Sequence, residues 1–154
     1  WKDFAHFTPL NEKTVHETFR KMKPVADENL IWFAYHGEEP ISFVVLLPDT
    51  NELIKGLNGK LNLLGKLRFV LNKTTRKHKR MRAVVMGTKE KFRNQGVESA
   101  LFIKVKDYVV PVEQYEECEL SWVGDFNAKM MSIHEATGAT MAKRHVTYSY
   151  RFPS

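Results

Sequence analysis

The sequence predicts a mixed α/β domain in which helices cover both faces of a central sheet. Short runs rich in β-branched and aromatic residues indicate strands, and the apolar residues between them recur at helical spacing. The strand–helix–strand order of the second half favours a sheet covered by helices. Because 43% of the 154 residues are hydrophobic, the chain can bury one core, and we expect a single domain over residues 1–154.

The first part of the chain predicts a helix followed by a β-hairpin. Residues 8–28 place apolar side chains on one helical face, with Thr8 or Asn11 as the cap and Pro24 near the end. Residues 29–49 contain two β-rich runs on either side of the turn sequence "GEEP". Both runs are so apolar that we expect the sheet to be covered on both faces.

The next segment, residues 51–73, is rich in leucine and dotted with lysine. Gly56, Gly59 and Gly65 interrupt its helical pattern, which favours two short helices over one long helix. We expect the pair to pack on the sheet. The same composition also suits a segment that lies on a membrane or lines an apolar pocket.

The second half predicts strand, helix, strand, helix and strand, in that order, over residues 81–87, 94–110, 118–124, 125–139 and 141–152. Pro111 is expected to end the first of these helices. Asp125 is a candidate cap for the second helix, and Gly138 is placed to end it.

Charge and cysteine content narrow the classes of function. A net charge of +6 permits an anionic partner, and much of the excess lies in residues 73–82. No aromatic residues interleave with these basic ones, so we predict no nucleic-acid partner and rank a membrane surface behind other partners. Cys118 is the sole cysteine and the histidines lack ligand spacing, so we predict no metal and a cytoplasmic location. We expect Cys118 to be a buried, inert thiol.

The segment that carries chemistry is "VVMGTKEKFRNQGVESALF", residues 84–102, which predicts a strand, a basic turn and a helix. The first amides of a helix lack carbonyl partners and, with the helix dipole, attract anions. Gly96 allows close approach of a ligand, and Arg93 adds a positive charge suited to phosphate. Since no Gly–Lys–Ser/Thr follows, this segment is not a P-loop.

The "RNQGVE" turn, residues 93–98, resembles the acyl-CoA-binding motif of the GNAT acyltransferase superfamily. That motif has Arg or Gln, two residues, Gly, one residue, and Gly or Ala. The helix in residues 125–139 also resembles the last helix of the superfamily, with Asn127 at its start, His134 in place of a usual Tyr, and Gly138 after it. The resemblance covers most of residues 12–152.

Residues 40–61, the basic stretch after them and residues 119–130 are similar to a group of bacterial proteins that have two tandem GNAT-like halves. Residues 1–10 resemble the segment that joins those halves. The resemblance implies that this chain is the C-terminal half of a longer protein, with the first strand and helix of a full GNAT fold missing or shortened. It also implies a mostly antiparallel, splayed mixed sheet.

The resemblance implies an acyl-CoA cofactor, either acetyl-CoA or a longer acyl-CoA, and a small-molecule or peptide amine as the acyl acceptor. The residues it places at the cofactor are Met86, Gly87, Thr88, Arg93, Asn94, Gln95, Gly96, Val97, Glu98, Ser99 and Asn127. For catalysis it implies His134 as the acid that protonates the leaving thiolate. Glu119 is our candidate for the base that deprotonates the amine.

Glu98 departs from the motif, because it replaces a small residue with an acid where a diphosphate would bind. An alternative is therefore a non-catalytic binding or dimerisation module with a degenerate CoA site. Such a module would form a homodimer or contact the N-terminal domain that the resemblance implies.

Overall fold

A computed structural model of the protein describes residues 11–60, 62–75 and 78–152. The chain forms two compact units, one ending at Ser121 and the other beginning at Trp122. Thr8, one of the two candidate caps of the first helix, lies outside the described residues.

The first helix, α1, spans Glu12–Met22 and ends before Pro24, as predicted. Asn11 caps it, since its side-chain oxygen accepts a hydrogen bond from the Thr14 amide at 2.8 Å. None of its residues is buried, and Phe19 on its apolar face is 45% exposed.

The predicted hairpin is present. After a single 3-10 turn at Glu28–Leu30, strand β1 (Ile31–His36) pairs antiparallel with β2 (Glu39–Pro48). The connection has two residues, and Gly37 adopts a φ of 60°, which favours glycine.

The leucine-rich segment forms two short helices, as predicted: α2 (Thr50–Ile54) and α3 (Leu63–Thr74). Leu53 of α2 is fully buried, and its carbonyl accepts a hydrogen bond from the buried Asn72 amide of α3 at 2.9 Å. Most apolar residues of α3 are exposed, however, so the expectation that the pair packs its leucines on the sheet is wrong for α3.

Strand β3 (Arg80–Thr88), helix α4 (Val97–Val112) and strand β4 (Glu117–Leu120) complete the first unit. The sheet has the order β1-β2-β3-β4, in which only the β3–β4 pair is parallel. The expected mostly antiparallel mixed sheet is confirmed. Its core joins the strands to α4 and contains Leu30, Val44, Leu46, Met81, Leu101, Val105 and Tyr115.

The second unit contains helix α5 (Ala128–Ala136). Asn127 caps it by accepting a hydrogen bond from the Met130 amide at 3.2 Å, so the proposed Asp125 cap is wrong. Gly138 follows the helix with a φ of 78°, as expected for a helix end.

The strand predicted over residues 141–152 is not formed. Residues 139–152 belong to no helix or strand and are exposed. A strand is stabilised by hydrogen bonds to a neighbour, and no described backbone group supplies them here. No helix in the described ranges has both the length and the apolar character needed to span a membrane.

Candidate functional site

Strands β3 and β4 pair over only part of the length of β3. The parallel register joins Arg80–Ala83 to Glu117–Leu120, and a last bond runs from the Ser121 amide to the Ala83 carbonyl at 3.2 Å. Beyond this point β3 continues to Thr88, and among the described strands only β2 pairs with that part. One backbone edge of β3, the open edge, therefore has no described strand partner from residue 84 to residue 88, although the Arg93 side chain bonds to the Thr88 carbonyl.

A β-bulge lies where the two strands part. Ala83 is paired with Leu46 and Val85 with Val45, so Val84 is the extra residue of β3. A bulge bends the strand and redirects its amides, and bulges are common beside functional sites. The sequence gives no sign of the bulge, because Val84 and Val85 are the same residue type and nothing marks one of them as the extra residue.

Side chains hold the turn between β3 and α4 in place. Phe92, in a 3-10 turn at Glu90–Phe92, is buried, and the Arg93 Nε donates a hydrogen bond to the Thr88 carbonyl at 3.2 Å. The Gln95 amide nitrogen donates to the Lys91 carbonyl at 2.8 Å. These bonds bring the predicted loop residues next to the end of β3.

The start of α4 offers free backbone donors. Gly96 precedes the helix with a φ of 77°, has no side chain to cap it, and leaves open space where a Cβ would stand. The first helical bond runs from the Ala100 amide to the Gly96 carbonyl at 2.9 Å. The amides of Val97, Glu98 and Ser99 precede this bond and are suited to an anion.

Glu98 is the second residue of α4 and is partly buried. No other described residue forms a hydrogen bond or ion pair with its carboxylate. An acid here is favourable for the helix dipole, but it lies among the donors that would bind an anionic ligand.

Glu119 does not lie with the loop residues. Its carboxylate forms an ion pair with Arg82 at 2.7 Å, in the paired part of β3 and β4. Arg82 precedes Met86 by four residues, or about 13 Å along a strand. Sequence reasoning missed Arg82, whose pairing with Glu119 depends on the strand register.

The remaining predicted site residues, Asn127 and His134, belong to the second unit. The Asn127 side-chain oxygen is used as the cap of α5. Burial lowers the pKa of His134, so its imidazole is neutral at pH 7. Because a neutral imidazole is a weaker proton donor than imidazolium, His134 is less suited to acid catalysis at this pH.

Cys118 was expected to be buried, but the residue is exposed, since β4 is an edge strand. Partial desolvation nevertheless raises its pKa to about 11. The expectation of an inert thiol is therefore consistent with the structure, although the expected burial is wrong.

At pH 8, iodoacetamide is expected to alkylate Cys118 about 100-fold more slowly than an ordinary cysteine, because the thiolate is the reactive form. Mass spectrometry over time measures the rate, and the urea-unfolded protein is the control that should react at the ordinary rate. Equal rates in the folded and unfolded protein would contradict the raised pKa.

A cavity of about 520 Å³ lies at the opposite end of the sheet from the turn after β3. Its wall includes Asp27, whose Oδ2 accepts hydrogen bonds from the hydroxyls of Tyr108 at 3.0 Å and Tyr115 at 3.1 Å. These bonds attach the segment before β1 to Tyr108 of α4 and to Tyr115, which follows that helix, so we assign Asp27 a structural role. In the described part of the chain, no cluster of three His, Cys, Asp or Glu is arranged to hold a metal ion.

Two curated relatives align with the chain over 151 residues, which is 96% of its length. "Bacterial ceramide synthase" of Caulobacter vibrioides is 31% identical, and "Protein YghO" of Escherichia coli K12 is 25% identical. The chain spans 39% of the length of each relative. No protein-family model matches it.

Solved structures of acetyltransferases share the fold. The aminoglycoside acetyltransferase AAC(6')-Iy, in complex with a CoA bisubstrate analogue, matches with a TM-score of 0.57 and 14% identity over 93% of this chain and 82% of that one. AAC(6')-Ih of Acinetobacter baumannii matches with a TM-score of 0.58 and 14% identity over 94% and 84%. The chain therefore has the fold of the GNAT acetyltransferases.

Proposed function

We propose that this chain binds an acyl-CoA and is the cofactor-binding part of an N-acyltransferase. The observation that carries the proposal is the open edge of β3, which leads through a fixed turn to the free amides at the start of α4. In the reaction, an amine nitrogen attacks the thioester carbonyl, the carbon–sulfur bond breaks, and the CoA thiolate takes up a proton. Structures of AAC(6')-Iy with CoA and with a CoA analogue support this cofactor class.

In this proposal, the backbone of Met86, Gly87 and Thr88 pairs with the pantetheine arm and stabilises the oxyanion formed from the thioester. The diphosphate binds at the loop and at the start of α4, where the donors are the amides of Asn94, Gln95, Gly96, Val97, Glu98 and Ser99. Arg93 supplies positive charge beside them. Glu119 acts as the general base, and His134 is the weaker candidate for the acid.

The acyl group is proposed to be long. A ceramide is an amide of a fatty acid with a long-chain amine, so the name of the Caulobacter relative favours a fatty acyl-CoA and a lipid-like amine. Calorimetry of the intact protein with acetyl-CoA and hexadecanoyl-CoA tests this choice. Tighter binding of the longer thioester would support it, and no binding of either at millimolar concentration would overturn the proposed cofactor.

Replacing Gly96 with alanine is expected to weaken CoA binding at least tenfold. A side chain is disfavoured at a φ of 77°, and the added methyl group occupies the space through which the diphosphate approaches the amides. Isothermal titration calorimetry with CoA measures the change.

Gly37→Ala is the matched control, because Gly37 also has a positive φ, 60°, and also faces open space. Both variants should lose a similar amount of stability, about 1 kcal/mol. Only the variant at Gly96 should lose CoA affinity. Equal CoA affinities for the two variants would show that the loop does not hold the diphosphate.

Replacing Glu98 with alanine is expected to raise CoA affinity about tenfold. Two like charges about 4 Å apart repel by about 1–4 kcal/mol, depending on how well water screens them. Calorimetry with CoA measures the gain, and Asp107→Ala, an exposed acid on the same helix, is the control.

The same titration separates the catalytic proposal from a non-catalytic module. In a non-catalytic module, Glu98 would be the residue that prevents CoA from binding. The module is supported if the natural protein does not bind CoA and the Glu98→Ala variant does. Micromolar binding by the natural protein contradicts it.

A further inference from the structure

Helix α3 carries an apolar surface that faces solvent. Five of its residues form this leucine face, with exposed fractions of 75% for Leu63, 74% for Leu64, 60% for Leu67, 59% for Val70 and 59% for Leu71. A contiguous apolar patch of this kind usually marks a place of interaction.

The leucine face points away from the rest of the first unit. At 100° per residue, its five side chains lie within an arc of about 120°. Gly65, Phe69 and Asn72 lie on the opposite side of the helix, where Gly65 and Asn72 are buried. Asn72 bonds there to the Leu53 carbonyl. The helix is thus anchored by one side and presents the other outward.

Basic residues border the leucine face on both sides. Arg68 lies next to one border and Lys66 next to the other, each about 40° from the nearest residue of the leucine face. Both are exposed. The sequence around the helix has the same character, since residues 53–77 contain seven lysines and arginines and no acid. The rest of the chain contains 17 basic and 18 acidic residues.

This pattern fits an anionic lipid surface better than a protein partner. The centres of protein interfaces are depleted in lysine. A helix lying at a bilayer surface buries its apolar arc and extends flanking cations to the lipid phosphates. The sequence alone ranked a membrane surface behind other partners, because no aromatic residues interleave with the basic ones, and the leucines of α3 were expected to pack on the sheet. Their exposure changes this ranking.

We propose that α3 docks the protein on an anionic bilayer, with the leucine face inserted and Lys66 and Arg68 at the lipid head groups. The proposal does not depend on catalysis. It concerns a surface of the first unit that is separate in sequence from the turn after β3 and the start of α4.

Sedimentation of the intact protein with vesicles tests the proposal. The protein should bind vesicles of phosphatidylcholine with 30% phosphatidylglycerol, and bind pure phosphatidylcholine at least tenfold more weakly. The double variant Leu67→Gln/Leu71→Gln should lose at least tenfold in binding, because its apolar arc is interrupted. The double variant Lys66→Glu/Arg68→Glu should lose a similar amount.

Two controls on α4 match these changes. Ile103 is 56% exposed, so Ile103→Gln replaces an exposed apolar residue outside the leucine face. Lys104→Glu reverses an exposed charge on the same helix. Both controls should bind vesicles like the natural protein, and all variants should retain the helical signal in circular dichroism.

Three results would overturn the proposal. The first is that the natural protein fails to bind the anionic vesicles, and the second is that the Leu67→Gln/Leu71→Gln variant binds them as tightly as the natural protein. The third is a smaller mass of this variant by light scattering, which would show that another protein chain covers the leucine face.

Discussion

Replacing Leu46 with alanine is expected to lower the free energy of unfolding by about 3 kcal/mol. Leu46 lies on β2 in the middle of the sheet, is fully buried, and belongs to the core that joins the sheet to α4. The loss combines the removed apolar contacts with the cavity left behind. Urea unfolding followed by circular dichroism measures it as a lower midpoint with an unchanged slope.

Leu67→Ala is the control for this prediction, since Leu67 on α3 is 60% exposed. In the absence of lipid its change in stability should stay within about 0.5 kcal/mol. A similar loss of stability in both variants would contradict the assigned burial of the two leucines.

Replacing Glu119 with glutamine is expected to lower kcat about 100-fold in an acyl-transfer assay, because the proposed general base is removed. Glutamine has nearly the same shape and still accepts a hydrogen bond from Arg82, but it cannot take a proton from the amine. Release of free CoA from the thioester measures the rate, and KM for the acyl-CoA should be unchanged.

The neighbouring pair offers a matched control. Glu117 forms an equivalent ion pair with Arg80 at 2.9 Å, two residues earlier on the same strands. Glu117→Gln should keep the natural kcat, because its carboxylate lies farther from the open edge of β3. Equal kcat values for the two variants would assign Glu119 a structural role only.

Glycine and β-branched residues made much of the fold predictable. The hairpin follows from two β-rich runs joined by a turn in which Gly37 adopts a positive φ. The separation of α2 from α3 follows from Gly56 and Gly59, which both adopt positive φ between the two helices. These features are local, so the sequence predicts them without knowledge of the tertiary contacts.

Features that depend on distant partners were less predictable. Asp125 and Asn127 are both good cap residues, and only the position at which α5 begins selects Asn127. The alternation in residues 141–152 is correct for a strand, yet a strand also needs a paired edge. The Val84 bulge is set by the register between β2 and β3, which composition does not encode.

The local structure around the candidate site was predictable to a similar extent. Residues 84–102 form the predicted strand, turn and helix start, and Arg93 bonds to the Thr88 carbonyl across the turn. The ion pair of Glu119 with Arg82 joins strands that are 37 residues apart. Its existence follows from the parallel register, so sequence spacing gave no sign of it.

The open edge of β3 also has a consequence for solubility. Unpaired backbone groups on a strand can template the pairing of another chain, which is the first step of edge-to-edge aggregation. A pantetheine arm carries two amide groups, so a bound acyl-CoA would pair with this edge as an added strand does. In the proposed function, a bound ligand would therefore cover the open edge and reduce self-association, and the protein without its ligand would be the aggregation-prone form.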